Sequence, residues 1–394
     1  MHNGYEACNE KEGIWMSVWS KERAWAWYNA RAWMRGCNFM SSDCANRIDQ
    51  WQEYGFDEKL ITVDRELELA AKTGFNSIRV IVEYIVWEKQ HDGFMERLER
   101  YIATAAKHGI SCMIVFGNDC MQPKAWTKPV VFGEQHYDWG YHGGRKQSQH
   151  GCLPDMGYHL LDEPELAERH YEWVREIITR YKDDERVCMW DLYNEPGNAR
   201  REMVTERHLR KFFEIARGIN PIQPLTACVW RCPTEREKEI PEIERIAADL
   251  SDIISYHNYG TYETNIRIIK RLKEYGRPII NTEWLGRCLH NTVEEMFPLF
   301  YLEKIGCWNW GFVAGKNQTY EPWNGTWERY ARNPNLDVDF TKWFHDLYRP
   351  SLHPYNPHEI ELIRRFCDLA DADFEKEQNE RAASVYEFFP KPAW

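Results

Sequence analysis

The chain has 394 residues and a formal charge of −12, from 62 Asp and Glu against 50 Lys and Arg. That balance argues against nucleic-acid phosphates or an anionic membrane surface as partners, since both need clustered Lys and Arg, and it favours a neutral substrate. Hydrophobic residues make up 43%, enough for a large core, and the outliers are 19 Trp and 21 Tyr, whose flat apolar faces suit either a core or the C–H face of a sugar ring.

No repeat, linker or low-complexity stretch interrupts the chain, which reads as one domain over 1–394. It opens with an expected helical segment over 10–34, studded with Trp15, Trp19, Trp25, Trp27 and Trp33. Short β-prone runs then alternate with charged segments of helical period. The first strand is RGCNFM (35–40). A helix at 64–73, stopped by Gly74, leads to NSIRVIV (76–82), and one at 94–108, stopped by Gly109, to ISCMIVFG (110–117). Helices at 163–181, 203–217, 241–249, 262–275 and 291–304 precede VCMWDLYNE (187–195), PLTACVW (224–230), DIISYHNY (252–259), RPIINTEW (277–284) and GCWNWGFV (306–313). A last helix is expected near 341–348, and the tail at 357–371 is helical again.

Eight strand-then-helix units, with strands apolar on both faces, imply a parallel sheet. The fold class is α/β, a (β/α)8 TIM barrel with elaborated βα loops, whose active site lies at the C-terminal ends of the strands. The longest insertion, 118–160, follows the third strand and reads as a site-shaping loop.

Two carboxylates stand where that architecture needs them. Glu195 ends the fourth strand in WDLYNEPG, and Glu283 ends the seventh in IINTEW. Each would reach the barrel mouth from its own strand, and glycoside hydrolysis needs such a pair: one protonates the leaving oxygen, the other attacks the anomeric carbon or activates water. A lone Glu is by default a solvated charge. That default is weak for two residues that each follow an apolar run. Alternation places Asp191, Tyr193 and Glu195 on one face of the fourth strand, so Asp191 is expected as a barrel-interior partner of Arg79.

In these motifs the chain resembles the clan A glycoside hydrolases, and family 5 above all, a group of cellulase-, mannanase- and β-mannosidase-type TIM-barrel enzymes. Asn194–Glu195–Pro196 is similar to the acid/base motif and Thr282–Glu283–Trp284 to the nucleophile motif. His257 and Tyr259 in SYHNYG match the sixth-strand pair, Arg79 the second-strand arginine, and Trp308 or Trp310 the eighth-strand tryptophan. The resemblance covers most of 30–350. It implies a retaining enzyme with Glu195 as acid/base, its pKa raised, and Glu283 as nucleophile, kept ionised by Arg79 and Tyr259. It further implies that Asn194 donates to the sugar 2-OH, that His257 orients Glu195, and that a Trp on the eighth strand floors the subsite of the attacked sugar.

Weaker candidates lie in the loops. Asn118 and Asp119 follow the third strand, where the family often has His or an aromatic, and are read as contacts to sugar hydroxyls. Lys316, Asn317, Gln318, Trp323 and Trp327 in 315–327 are read as a substrate-contacting loop, with Lys316 and Trp323 foremost, or else as rim packing. His136, His142, His150, Cys152 and His159 crowd one loop but match no zinc spacing. No metal and no cofactor are therefore expected.

The 12 cysteines form no CxxC pair, no signal-like segment opens the chain, and no apolar run reaches membrane-spanning length. A reduced, cytoplasmic enzyme acting on an oligosaccharide or glycoside is the expectation, with no nucleic-acid or membrane partner. Exo-action suits that location. The alternatives are an endo-acting mannanase-, xylanase- or glucanase-like enzyme, a non-catalytic carbohydrate-binding barrel, and a metal-dependent hydrolase built on the histidine loop.

Overall fold

The computed structural model of the protein describes residues 17–120, 131–135 and 161–388, with side chains up to 381. Eight strands form one parallel sheet in the order β5-β4-β3-β2-β1-β8-β7-β6. They are β1 Arg35–Asn38, β2 Ser77–Ile81, β3 Ser111–Asn118, β4 Val187–Asn194, β5 Leu225–Ala227, β6 Ile254–His257, β7 Ile279–Trp284 and β8 Gly306–Trp310. The outer strands meet: the Val229 N–H donates to Ser255 O at 2.9 Å and the His257 N–H to Val229 O at 3.2 Å. The sheet thus closes into the expected (β/α)8 barrel. Gly36 in β1 is needed for closure, because a Cβ there would stand 1.7 Å from Ser77 O.

The helices in chain order are α1 Lys21–Asn29, α2 Arg47–Trp51, α3 Phe56–Thr73, α4 Tyr84–Lys89, α5 His91–Lys107, α6 Pro164–Tyr181, α7 Glu206–Ile219, α8 Glu242–Leu250, α9 Tyr262–Leu272, α10 Val293–Leu302, α11 Asn324–Arg332 and α12 Pro357–Phe388. Their periodicity explains their packing. In α5, Phe94, Leu98, Tyr101, Ile102 and Ala105 fall on one stripe and are buried. No described helix is long and apolar enough to cross a membrane.

Three elements differ from expectation. Residues 341–348 are not helical. Phe344, Leu347 and Tyr348 have helical spacing, but His345 and Asp346 between them are buried too, as in an extended segment packed on all sides. Its backbone is spent on the loops after β8: Leu347 and Tyr348 N–H groups donate to Phe312 O, and Phe344 N–H to Tyr320 O. The eighth barrel helix is instead α12, which fills the gap between α10 and α3. Cys367 packs on Gly74, and Arg364 donates to Lys72 O. The loop expected over 315–327 also runs into a helix, α11.

The opening segment is helical only over α1, and residues 1–16 lie outside the described ones. Tyr28 donates to Lys304 O at 2.9 Å and accepts from Gly306 N–H at 2.6 Å, so α1 sits under the start of β8. It closes the barrel floor, the end opposite the strand C-termini. Above it Met113, Met189, Ile253, Ile280 and Trp308 fill the lower interior.

Candidate active site

The upper interior is polar and centres on Arg79, almost wholly buried at 1% exposure. Its guanidinium donates to Asp191 Oδ2 (2.9 Å), Asn38 Oδ1 (2.7 Å), Glu283 Oε1 (2.8 Å) and Asn194 Oδ1 (2.6 Å). A planar fork of five donors is suited to four acceptors from β1, β4 and β7. Burial opposes its charge, but Asp191 and Glu283 outweigh that and raise its pKa. Asp191 is the interior partner expected of it.

The alternation expected along β4 does not hold to its end. Asp191 and Asn194 both reach Arg79, whereas the Tyr193 ring packs outward on Phe212 of α7. The cause is a bulge: Asp191 pairs with Thr226 and Tyr193 with Ala227, one extra residue on β4. A bulge re-aims side chains at a strand end. Glu195 then turns into the left-handed region, φ 46°. That conformation costs roughly 1–3 kcal/mol and persists where surroundings over-determine it.

Those surroundings are specific. The Glu195 N–H donates to Cys228 Sγ at 3.0 Å. Beyond it, the buried Asp119 gathers the next turn, accepting from Gly197 N–H at 2.7 Å and from the Thr205 and Tyr193 hydroxyls, and pairing with Arg201. Burial pushes the Asp119 carboxyl up to about 6. Asp119 is therefore an anchor for the 195–205 turn, not a sugar contact, because it has no exposed surface.

Glu195 and Glu283 face each other with His257 between them. One ligand atom from each of the three lies within 4.8 Å of the others. His257 Nδ1 is 2.8 Å from Glu195 Oε1 and 3.5 Å from Glu283 Oε2. Tyr259 donates its hydroxyl to Glu283 Oε2 at 2.8 Å. The second Glu195 oxygen accepts from the Cys120 thiol and from Asn198 Nδ2. Sequence reasoning missed Cys120, Cys228, Asn198 and Asn38. Cys120 follows a strand C-terminus, the one signal that marked it.

The order of the two carboxyl pKa values is the reverse of the expectation. Burial raises both, but hydrogen bonds from His257, Cys120 and Asn198 bring Glu195 below its ordinary value. Glu283 stays above its ordinary value, because burial and the nearby Glu195 exceed the pull of His257, Arg79 and Tyr259. Arg79 divides its charge between Glu283 and Asp191, while three donors converge on Glu195.

The other expected site residues are placed as follows. Arg79 can only donate, so Asn194 turns its oxygen to it and its amide NH2 toward Asn118 Oδ1, 3.0 Å away. Asn118 Oδ1 also accepts the Cys120 N–H at 2.9 Å. Trp323 packs edge-on to Tyr259, with ring centroids 4.8 Å apart, and so stands beside Glu283. Lys316 is exposed on the rim, its N–H tied to Ser42 O. Trp308 is a correction: it is fully buried, its indole N–H donating to Ser77 Oγ at 3.0 Å in the lower interior, out of a substrate's reach. Trp310, two residues nearer the mouth and half-buried, is the tryptophan left for that role. The loop histidines 136, 142, 150 and 159, with Cys152, lie outside the described residues.

No curated protein sequence matches this chain. Solved structures share the barrel at low identity. GH5_18 from Streptomyces cattleya, in complex with GlcNAc, superposes with a TM-score of 0.55 at 13% identity, covering 88% of this chain and 81% of that one. An exo-beta-1,4-mannosidase from Opitutaceae bacterium strain TAV5 gives 0.54 at 15% identity, covering 88% and 61%. An endo-beta-1,4-mannanase from Thermotoga petrophila gives 0.53 at 13%, covering 87% and 78%. At such identity they speak to the fold alone. The model of the cellulase family, glycosyl hydrolase family 5, matches residues 51–314, two thirds of the chain and both carboxylate motifs. The chain belongs to glycosyl hydrolase family 5, and it is a glycoside hydrolase.

Proposed function

We propose that the protein is a retaining, exo-acting β-glycosidase, with Glu283 as nucleophile and Glu195 as acid/base. The observation that carries this is the carboxylate spacing. One oxygen of Glu195 and one of Glu283 lie within 4.8 Å of each other, which suits the ~5–5.5 Å carboxyl separation of double displacement better than the roughly 6.5–9.5 Å that leaves room for a water in inversion.

In the first step Glu283 attacks the anomeric carbon, and Glu195 gives its proton to the departing glycosidic oxygen. In the second, Glu195 takes a proton from water, which displaces Glu283. The proton must therefore begin on Glu195 and the charge on Glu283. The pair is close enough to favour one negative charge over two, and His257 Nδ1 faces both. A sugar seated over Glu195 shields its carboxyl from water, which favours the protonated form as the step requires. Asn194 and Trp310 are the proposed contacts to the attacked sugar, and Asn118, Lys316 and Trp323 those to its surroundings.

Exo-action is supported by the wall that Tyr259, Trp323 and Phe344 raise beside Glu283. A terminal β-linked manno- or gluco-configured sugar is the substrate class proposed, in keeping with the exo-beta-1,4-mannosidase that shares the barrel.

The test is stereochemical. Proton NMR of hydrolysis in progress should show the β-anomer first, and a 2-deoxy-2-fluoro glycoside should label Glu283 covalently. First appearance of the α-anomer, with no label, would replace double displacement by inversion.

A further inference from the structure

We propose that Cys120 is a positioning residue for the acid/base, its thiol holding Glu195 Oε2 and setting the pH at which Glu195 gives up its proton. The proposal rests on the acid/base reading of Glu195 and goes beyond it, to a residue outside the NEP motif.

The geometry fixes the direction of the thiol. Cys120 Sγ lies 2.6 Å from Glu195 Oε2. The sulfur also accepts, from Asn198 Nδ2 at 3.2 Å and from Asn194 Nδ2 at 3.5 Å. Both amides are donors, so among the described residues that touch the sulfur the carboxylate is the acceptor for the S–H. Burial and the neighbouring Glu195 and Glu283 carboxylates keep the thiol protonated, so it is a donor and not a nucleophile.

The sulfur itself is held. Cys120 N–H donates to Asn118 Oδ1, which also takes the Asn194 amide. The loop after β3 is thereby tied to the end of β4, and Glu195 is gripped from both sides. His257 holds Oε1, Cys120 and Asn198 hold Oε2, and Cys228 holds the main-chain N–H. Donors to a carboxylate favour its charged form. Removing the Cys120 donor raises the pKa of Glu195, and the alkaline limb of kcat/KM, which reports loss of the acid's proton, moves to higher pH. Serine keeps a donor in the same place; alanine does not.

Two experiments separate this proposal from the reading beneath it. Glu195→Ala should remove the alkaline limb, keep turnover of an activated aryl glycoside, and form glycosyl azide when azide is added. A limb that persists in that variant overturns the acid/base reading itself. With that limb assigned, Cys120→Ala should move it up by about half a pH unit or more, and Cys120→Ser should bring it back toward wild type. An alanine profile that superimposes on wild type, or a serine profile that matches alanine, overturns the proposal. Should the alanine variant fail to fold, the S–H infrared stretch decides. The band present in wild type and missing in Cys120→Ser should shift in Glu195→Gln, and a band that stays put overturns the proposal.

Discussion

Arg79 Nη1 stands 2.8 Å from Glu283 Oε1 in the polar layer that lies over the Trp308 floor of the barrel. The same guanidinium is 2.8 Å from Asp191 Oδ2, so one cation balances two buried carboxylates. Arg79→Met leaves both uncompensated. Breaking a buried pair costs about 3–5 kcal/mol, and urea unfolding should show a loss in that range. Arg79→Lys keeps the charge but not the fork, since an ammonium has three donors for four acceptors. It should recover part of the stability, while kcat/KM stays roughly a hundredfold down because Glu283 and Asn194 lose their common reference point. A lysine variant with wild-type kcat/KM would show that charge alone suffices.

The barrel was legible because its signal is periodic and local. Eight apolar runs, each preceded by a charged helix, leave little choice of fold, and the strands fall within a few residues of the expected spans. Glu195 and Glu283 were legible for the same reason, as polar residues that end apolar strands. What was not legible depends on contacts distant in sequence. The Asp191–Thr226 and Tyr193–Ala227 pairings define the β4 bulge only once β5 is beside it. Nothing in the local pattern reveals that strict alternation fails there. Trp308 and Trp310 share one motif and one face, and only depth along the barrel separates a floor residue from a mouth residue. At 341–348 helical spacing coincided with an extended segment buried on all sides. Cys120 was hidden because a single cysteine carries no pattern.

Stability should fall as pH rises from about 5 to 9. Burial lifts Asp119 to about 6, Glu244 and Asp346 to about 7, and Glu66 to about 8. Each holds its proton in the folded chain where the unfolded chain has released it. The stability from each is full below its unfolded pKa and is lost as pH passes through the folded pKa. Glu66 is the last to ionise, and it accepts the Ser42 N–H at 3.1 Å in the loop after β1. Glu66→Gln cannot ionise, so it should flatten the decline between pH 7 and 9. Urea midpoints at pH 6 and 9 for both proteins measure this; parallel declines would contradict it.

Trp308 and Trp310 should separate cleanly by mutation. Trp308 is sealed in the lower interior against Met113, Met189 and Ile280. Its truncation to alanine should cost about 3–5 kcal/mol. Trp310→Ala, at the half-buried strand end, should leave the thermal midpoint within a few degrees and raise KM or lower kcat/KM roughly tenfold or more. The opposite pattern, with Trp308→Ala stable but unable to bind, would restore Trp308 as the subsite floor.

The number of sugars released per cut is the remaining prediction. Tyr259, Trp323 and Phe344 form a contiguous edge-on stack, with centroids 4.8 and 4.7 Å apart. Edge-on aromatics brace one another, so the stack is a wall and not a set of loose side chains. It rises beside Glu283, where Gly286 lets it close in: a Cβ there would lie 3.4 Å from the Tyr259 ring and 3.2 Å from Phe344. On the exo-acting proposal, a wall on that side stops a chain from continuing past the attacked sugar and leaves room for a terminal residue only. On an oligosaccharide labelled at the reducing end, labelled products should shorten by one sugar at a time. Trp323→Ala should open the wall, and mid-chain fragments should then appear while the thermal midpoint changes little. Early mid-chain fragments from the wild-type enzyme would mean that the wall does not bound the subsite, and the exo reading would give way to an endo-acting glycanase.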